Sequence, residues 1–211
     1  MKVGGVDLKR VGFYFLVIIT LSLWVFPINA ESKIPVIVLP LVDNTQVDVG
    51  FVSYIYRKTT SQMYTDVINT TFREIITERF SDEIYEVVDL NVVDSLLQDE
   101  GYNINLLDLP DRIALMNIAT RGKVRGIIGI EFFQFGTHFI PYKPKDRPWM
   151  LSCRLRAYDV VTNRFINICF TKNEIYSGST FGVGEDDKNI SIIVKDLVTK
   201  TMQQALEHVT F

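Results

Sequence analysis

The sequence VRGIIGIEFFQF, residues 124–135, decides the fold. Ile127, Ile128 and Ile130 form an apolar run with glycines between them, and Glu131 is the first charge that interrupts it. A segment that is apolar on both of its alternating sides is typical of a strand covered on both faces of its sheet. The sequence therefore predicts a central strand here, with the rest of the chain packed around it.

The residues before this strand predict alternating strands and helices. Apolar residues recur every three or four positions between Met63 and Phe80, which indicates an amphipathic helix. Asn91 is predicted to cap a second helix and Gly101 to end it. The predicted elements are strands at 34–41 and 85–89 and helices at about 60–80, 91–101 and 109–119. Residues 47–56 fit either a short strand or the start of a helix.

The residues after the central strand predict a long hairpin and a final helix. Apolar and polar residues alternate along 150–160 and along 164–175, which gives each strand one core face and one wet face. Thr162 and Asn163 are the natural two-residue turn, although a longer loop is possible. Periodic apolar residues then predict a helix at about 188–208 that closes a single domain.

The first 30 residues predict an export signal. Lys9 and Arg10 precede an apolar run that ends at Pro27 to Ala30, the order found in secretory signals. The run is shorter than the roughly 20 residues of a membrane-spanning helix. We predict cleavage after Ala30, with an uncleaved anchor as the alternative, and a folded domain over 31–211. Either outcome makes the protein exported, and periplasmic or envelope-associated.

Composition fits one globular domain plus this apolar segment. The chain has 211 residues, 47% of them hydrophobic and 22% charged, and a formal net charge of -3. Since no basic tract follows residue 10, a nucleic-acid partner is not predicted.

The order of these segments resembles the TolB N-terminal and CsgG-like domains of the bacterial cell envelope. The similarity lies in IPVIVLPLVDN, YEVVDLNVVDSLL, GIIGIEFFQF and AYDVVTNRFI, where Asn163 stands in place of the usual glycine of a hairpin turn. Asn tolerates a positive φ better than other non-glycine residues. The resemblance implies an α/β fold of the anticodon-binding-like, TolB N-terminal-like kind: one domain with a mixed sheet of about five strands and three to four α-helices.

The sequence also departs from these families in two ways. Its first cysteine is Cys153, so the lipobox cysteine of CsgG-type lipoproteins is absent, and the propeller of full TolB proteins is not in the sequence. Pore formation and the partners of TolB are therefore not carried over.

Candidate chemistry is sparse. The histidines are His138 and His208, and no His, Cys and Asp residues cluster at ligand spacing, so we predict no metal and no cofactor. The carboxylates that could form an acid and base pair are Asp82, Glu83, Glu86, Asp99 and Glu100. They fall at predicted helix ends and loops, where solvated charge is expected, and the glycine-rich residues 177–187 lack a P-loop lysine. The protein is therefore predicted not to be an enzyme.

Two cysteines raise the question of a disulfide. A two-residue turn would pair Ala157 with Ile168, which places Cys153 on the core face and Cys169 on the wet face of the hairpin. Cysteines on opposite faces cannot bridge, so we predict two free thiols.

The connector at residues 135–149 combines aromatic residues, basic residues and three prolines. Aromatic and basic side chains on a stiff connector would make a good contact surface. The predicted partner-binding residues are Phe139, Tyr142, Lys143, Lys145, Arg147 and Trp149. The alternative, in which the aromatic side chains fold back over the sheet edge, stays open.

These features predict a non-enzymatic secreted or periplasmic protein that binds another cell-envelope protein as an accessory module. One alternative is a component that binds itself and assembles an outer-membrane secretion complex of the CsgG-like kind. Its strands offer few segments suited to crossing a bilayer. The other alternative is a small-ligand binder, for which no constellation of polar groups is present in the sequence.

Overall fold

The computed structural model describes residues 32–45, 57–137, 146–177 and 186–211, and three two-residue strands at 2–3, 6–7 and 47–48. The side chains of 57–63, 136–137, 146–147, 177 and 186–190 lie outside this description. The chain divides into residues 1–33 and residues 34–211. In the first unit β1 (Lys2–Val3) pairs antiparallel with β2 (Val6–Asp7). The rest of the predicted signal segment lies outside the described residues.

The second unit is the α/β domain that the sequence predicts. Its described elements are β3 (Ile34–Val38), β4 (Val42–Asp43), β5 (Val47–Asp48), α1 (Arg57–Arg79), β6 (Tyr85–Val87), α2 (Leu90–Asp99), α3 (Arg112–Arg121), β7 (Gly126–Thr137), β8 (Asp146–Asp159), β9 (Arg164–Ser177) and α4 (Asp186–Leu206). Among the described helices, none has the length and apolar character needed to cross a membrane.

The described strands form one mixed sheet with β7 at its centre. The order is β6, β3, β7, β8, β9, and β4 and β5 follow β3 along the same edge of β7. The first three strand positions run parallel, whereas β8 and β9 continue the sheet antiparallel. The predicted central strand and the mixed sheet of about five strand positions are both confirmed.

The sheet has a hydrophobic core on each face. Helices α1 and α4 supply Phe72 and Leu197 to the first core, and helices α2 and α3 supply Leu97 and Leu115 to the second. Because side chains alternate along a strand, Ile128 of β7 enters the first core and its neighbour Ile127 enters the second. This explains why residues 124–135 are apolar on both sides.

Aspartates cap two of the helices. Asp89 caps α2, because its Oδ1 accepts a hydrogen bond from the Asn91 amide at 2.8 Å, so the predicted cap at Asn91 is wrong. Asp111 caps α3 by accepting from the Ala114 amide at 2.9 Å. That helix therefore starts at Arg112, later than predicted. The helix ends agree with the sequence, since Gly101 follows α2 with a φ of +81°.

The hairpin between β8 and β9 has a longer turn than the predicted two residues. Asp159 pairs with Arg164 across it, and Ala157 lies opposite Ile166 rather than opposite Ile168. The register therefore differs by two residues from the prediction, and a shift of two leaves every side chain on its predicted face.

Side chains within the turn explain its length. The Asp159 carboxylate accepts from the Val161 amide at 2.9 Å and from the Thr162 hydroxyl at 2.8 Å, so it organises a four-residue loop. Asn163 has a φ of +51°, and the Tyr158 hydroxyl donates to its Oδ1 at 2.8 Å. The predicted tolerance of Asn163 for positive φ is confirmed.

The two cysteines are free, as predicted. Cys153 is buried in the first core, and Cys169 is exposed on the opposite face. Burial raises the pKa of the Cys153 thiol to about 12, so this thiol stays protonated at neutral pH. We expect a thiol reagent at pH 7 to modify Cys169 alone in the folded protein and both residues in denaturant, as counted by intact mass. Equal labelling of both thiols in the folded protein would contradict this placement.

Candidate functional site

The structure places Trp149 away from any surface. It belongs to β8 and is 0% exposed, and its ring lies 5.4 Å from the Phe135 ring with an interplanar angle of 34°. The prediction that Trp149 is an exposed contact residue is therefore wrong. The alternation of Leu151, Cys153 and Leu155 extends backwards to position 149, and this was the signal in the sequence that pointed to the core.

The other predicted contact residues are not brought together with Trp149 in the described structure. Arg147 lies in β8, but its side chain is outside the description. Phe139, Tyr142, Lys143 and Lys145 lie outside the described residues. The connector itself is shorter than the sequence predicts, because β7 continues to Thr137 and β8 begins at Asp146.

A bulge in β7 aligns its aromatic residues with the core. The pairing with β8 shifts between Phe132 and Gln134, so Phe133 is the extra residue. Phe132 and Phe135 are consequently both buried on the same face, although they are three positions apart. The half-buried Phe133 ring lies 5.5 Å below the guanidinium of Arg154.

On the second face of the sheet, Glu131 is the centre of a polar network that the sequence did not reveal. Its side chain is 6% exposed, and the Arg154 Nη1 donates to its Oε2 at 2.8 Å. Asn44 Nδ2 donates to its Oε1 at 3.1 Å. Both carboxylate oxygens are therefore occupied by protein donors, and the charge is balanced by a guanidinium.

The neighbouring Arg156 fixes the loop that leads into α3. Its Nη1 donates to the carbonyl oxygens of Leu109 and Pro110. Asp108 stands near both guanidinium groups, at 3.8 Å from Arg154 and 4.0 Å from Arg156. These contacts hold the loop against the sheet, which is a structural task.

Arg154 also lies directly opposite the exposed Cys169 on β9. The pKa of Arg154 is raised chiefly by its hydrogen bond to Cys169, and the charges of Glu131 and Asp108 add to this effect. Arg154 therefore stays positively charged and interacts with Cys169, Glu131 and Asp108. Within the described part of the chain, no group of three or more His, Cys, Asp or Glu residues could hold a metal ion.

A second polar cluster joins β9 to α4. The Tyr176 hydroxyl donates to Asp196, and Lys200 Nζ lies 2.9 Å from Asp196 Oδ2 and 3.4 Å from Glu174 Oε1. Burial raises the pKa of Tyr176, and its hydrogen bond to Asp196 raises it further. Burial alone would raise the pKa of Asp196, but the hydrogen bonds from Tyr176 and Lys200 lower it. These contacts hold α4 against β9.

Exposed aliphatic side chains are the remaining candidate feature. Of the ten large hydrophobic side chains that are exposed in the described residues, seven lie between positions 84 and 116, at β6, on α2 and α3, and in the loop between these helices; the other three are Val161, Ile175 and Ile192. The seven are Ile84, Val87, Leu90, Val92, Leu107, Ile113 and Met116. Leu107 is 84% exposed and Ile113 is 64% exposed. Exposed apolar side chains that form a contiguous patch mark binding sites for other macromolecules.

No family model matches the sequence, and no curated protein matches it. Among solved structures, the chain is similar to lipoprotein GNA1162 from Neisseria meningitidis at 11% identity and a TM-score of 0.39, covering 79% of this chain and 99% of that one. It is similar to hypothetical protein CT253 from Chlamydia trachomatis at 12% identity and a TM-score of 0.42, covering 82% and 95%. It is similar to the LpoB C-terminal domain from Escherichia coli at 11% identity and a TM-score of 0.36, covering 75% and 93%. At TM-scores below 0.5 these likenesses carry no inference about family or function.

Proposed function

We propose that the chain is a non-enzymatic, exported protein that binds another protein of the cell envelope as an accessory module. The observation that carries this proposal is the concentration of exposed aliphatic side chains between Ile84 and Met116. The basic, apolar and small-residue order of residues 1–30 supports export to the periplasm or envelope. We also propose that its folded domain is of the TolB N-terminal or CsgG-like type.

The polar clusters support a binding role over catalysis. Glu131 is the most buried carboxylate of the network, and Arg154 and Asn44 occupy its oxygens, so it is not poised as a general base. The Asp159 carboxylate likewise accepts hydrogen bonds from groups within the hairpin turn, so it is not free to act as a base. The described polar groups therefore stabilise the fold, and the exposed aliphatic groups are left for contact.

The connector between β7 and β8 is proposed as a second contact. Its candidate residues are Phe139, Tyr142, Lys143 and Lys145, together with Arg147 at the start of β8 and without the buried Trp149. Aromatic and basic side chains contribute most of the energy in many interfaces, and prolines lower the cost of ordering them.

Site-specific photo-crosslinking in the native bacterial cells tests this function. A photoreactive residue is placed at position 107, 113 or 142, with position 203 on the exposed side of α4 as the control. We expect a discrete crosslinked species containing a different envelope protein from at least one test position and none from position 203. A ladder of the protein with itself would replace the proposal with self-assembly. Absence of a crosslink from all three test positions would overturn it.

A further inference from the structure

Within the described residues, the outer side of the β6 backbone is open at Val87, whereas the amide of Tyr85 donates to the Ser81 carbonyl at 2.9 Å. The Ile34 amide donates to the Ile84 carbonyl at 2.8 Å, and the Val88 amide donates to the Val36 carbonyl at 3.0 Å. Residues 84 and 88 thus direct these groups toward β3, and alternate residues of a strand direct theirs to opposite sides. The amide and carbonyl of Val87 therefore point away from β3. Within the described residues, β6 pairs with β3 alone.

Aliphatic side chains surround this open edge. Ile84 is 55% exposed, Val87 is 44% exposed and Leu90, at the start of α2, is 56% exposed. Val87 belongs to β6, Ile84 directly precedes the strand and Leu90 opens α2. An added strand beside β6 would run along this series of apolar side chains.

The segment that contains β6 and α2 carries charges of one sign. Residues 80–111 contain no Lys, Arg or His. Their carboxylates are Asp82, Glu83, Glu86, Asp89, Asp94, Asp99, Glu100, Asp108 and Asp111.

Some of these charges have cationic neighbours and others do not. Asp99 and Glu100 pair with Arg121, and Asp108 lies near Arg154. Asp82, Glu83, Glu86 and Asp89 are exposed and form no salt bridge within the described structure. These four carboxylates favour a cationic partner at the β6 edge over an anionic one.

We propose that the β6 edge binds a basic, aliphatic segment of a partner protein in extended conformation, as an added strand beside β6. The backbone of Val87 supplies the hydrogen bonds, and Ile84, Val87 and Leu90 supply the apolar contact. The carboxylates of Asp82, Glu83, Glu86 and Asp89, which form no salt bridge within the described structure, select lysine and arginine at the alternate positions of the incoming strand. This inference rests on the proposed function and names the surface and the chemistry of the partner.

The test uses the full chain, labelled with ¹⁵N, and two synthetic peptides. One peptide alternates lysine with valine, and the other alternates glutamate with valine. We expect the lysine peptide to shift the amide resonances of residues 82–92 saturably, with an affinity that falls as salt is raised. The glutamate peptide is expected to leave these resonances in place. Shifts at β9 instead, equal effects of both peptides, or no effect of the lysine peptide would overturn the inference.

Variants separate specific strand addition from general attraction. Glu86→Lys is expected to weaken binding of the lysine peptide by about tenfold or more. Glu78→Lys makes the same change of charge at an exposed position of α1 and is expected to have little effect. Val87→Pro removes the outward amide, which an edge strand tolerates, and is expected to abolish binding. Equal losses for Glu86→Lys and Glu78→Lys would overturn strand addition. Crosslinks from positions 107, 113 or 142 without peptide binding would leave the proposed function standing and remove only this inference.

Discussion

Replacing Trp149 by alanine is expected to lower the free energy of unfolding by about 3–5 kcal/mol, the range for large aromatic residues removed from a core. The side chain is fully buried and packs against Phe135, so truncation leaves a cavity beside that ring. Chemical denaturation followed by far-UV circular dichroism measures the loss. A loss of this size would show that Trp149 stabilises the core and is not a surface contact residue.

Two further variants make this prediction specific. Ile175→Ala changes an exposed residue of the same hairpin and is expected to alter stability by less than about 0.5 kcal/mol. Trp149→Phe is expected to cost less than Trp149→Ala, because it keeps an aromatic ring and because the indole Nε1 has no hydrogen-bond partner within the described structure. Unchanged stability of Trp149→Ala together with lost partner binding would instead support the contact role that the sequence predicted.

Replacing Arg154 by alanine is expected to cost about 2–3 kcal/mol of stability. Removing one partner of a buried ion pair usually costs more, but the Arg154 side chain is 31% exposed and water reaches part of this site. The loss arises because Glu131 would remain buried with only Asn44 as a donor. The same denaturation measurement gives the size of the effect.

The double variant Glu131→Gln with Arg154→Met separates the pair from its surroundings. It removes both charges and keeps an amide oxygen for Asn44, so we expect it to recover most of the stability that Arg154→Ala loses. A double variant no more stable than Arg154→Ala would show that the guanidinium matters through its contacts with Asp108 and Phe133 instead.

The sequence predicted those parts of the fold that depend on local pattern. The apolar run at Ile127, Ile128 and Ile130 indicated the central strand, because both of its sides must be covered. The alternation along the hairpin assigned Cys153 and Cys169 to opposite faces. The register was wrong by two residues, because the Asp159 carboxylate organises a four-residue loop in place of the two-residue turn at Thr162 and Asn163.

The sequence did not predict the start of β8 or the polar network around Glu131. Pro148 suggested a loop, but it lies within β8, where it pairs with Ile175 of β9. The network depends on tertiary structure, because Asn44 and Glu131 are 87 positions apart and no pattern in the sequence connects them.

That separation also has a consequence for the order of folding. Glu131 and Arg154 are only 23 positions apart, so forming their contact closes a short loop and costs little entropy. The contact between Glu131 and Asn44 closes a far longer loop and costs more. We expect β7, β8 and β9 to associate first and the parallel strand β3 to dock later, which pulsed hydrogen exchange would detect as delayed protection of the β3 amides. Until then the apolar residues of β3 remain uncovered, so the interval before docking is when the chain is most exposed to aggregation.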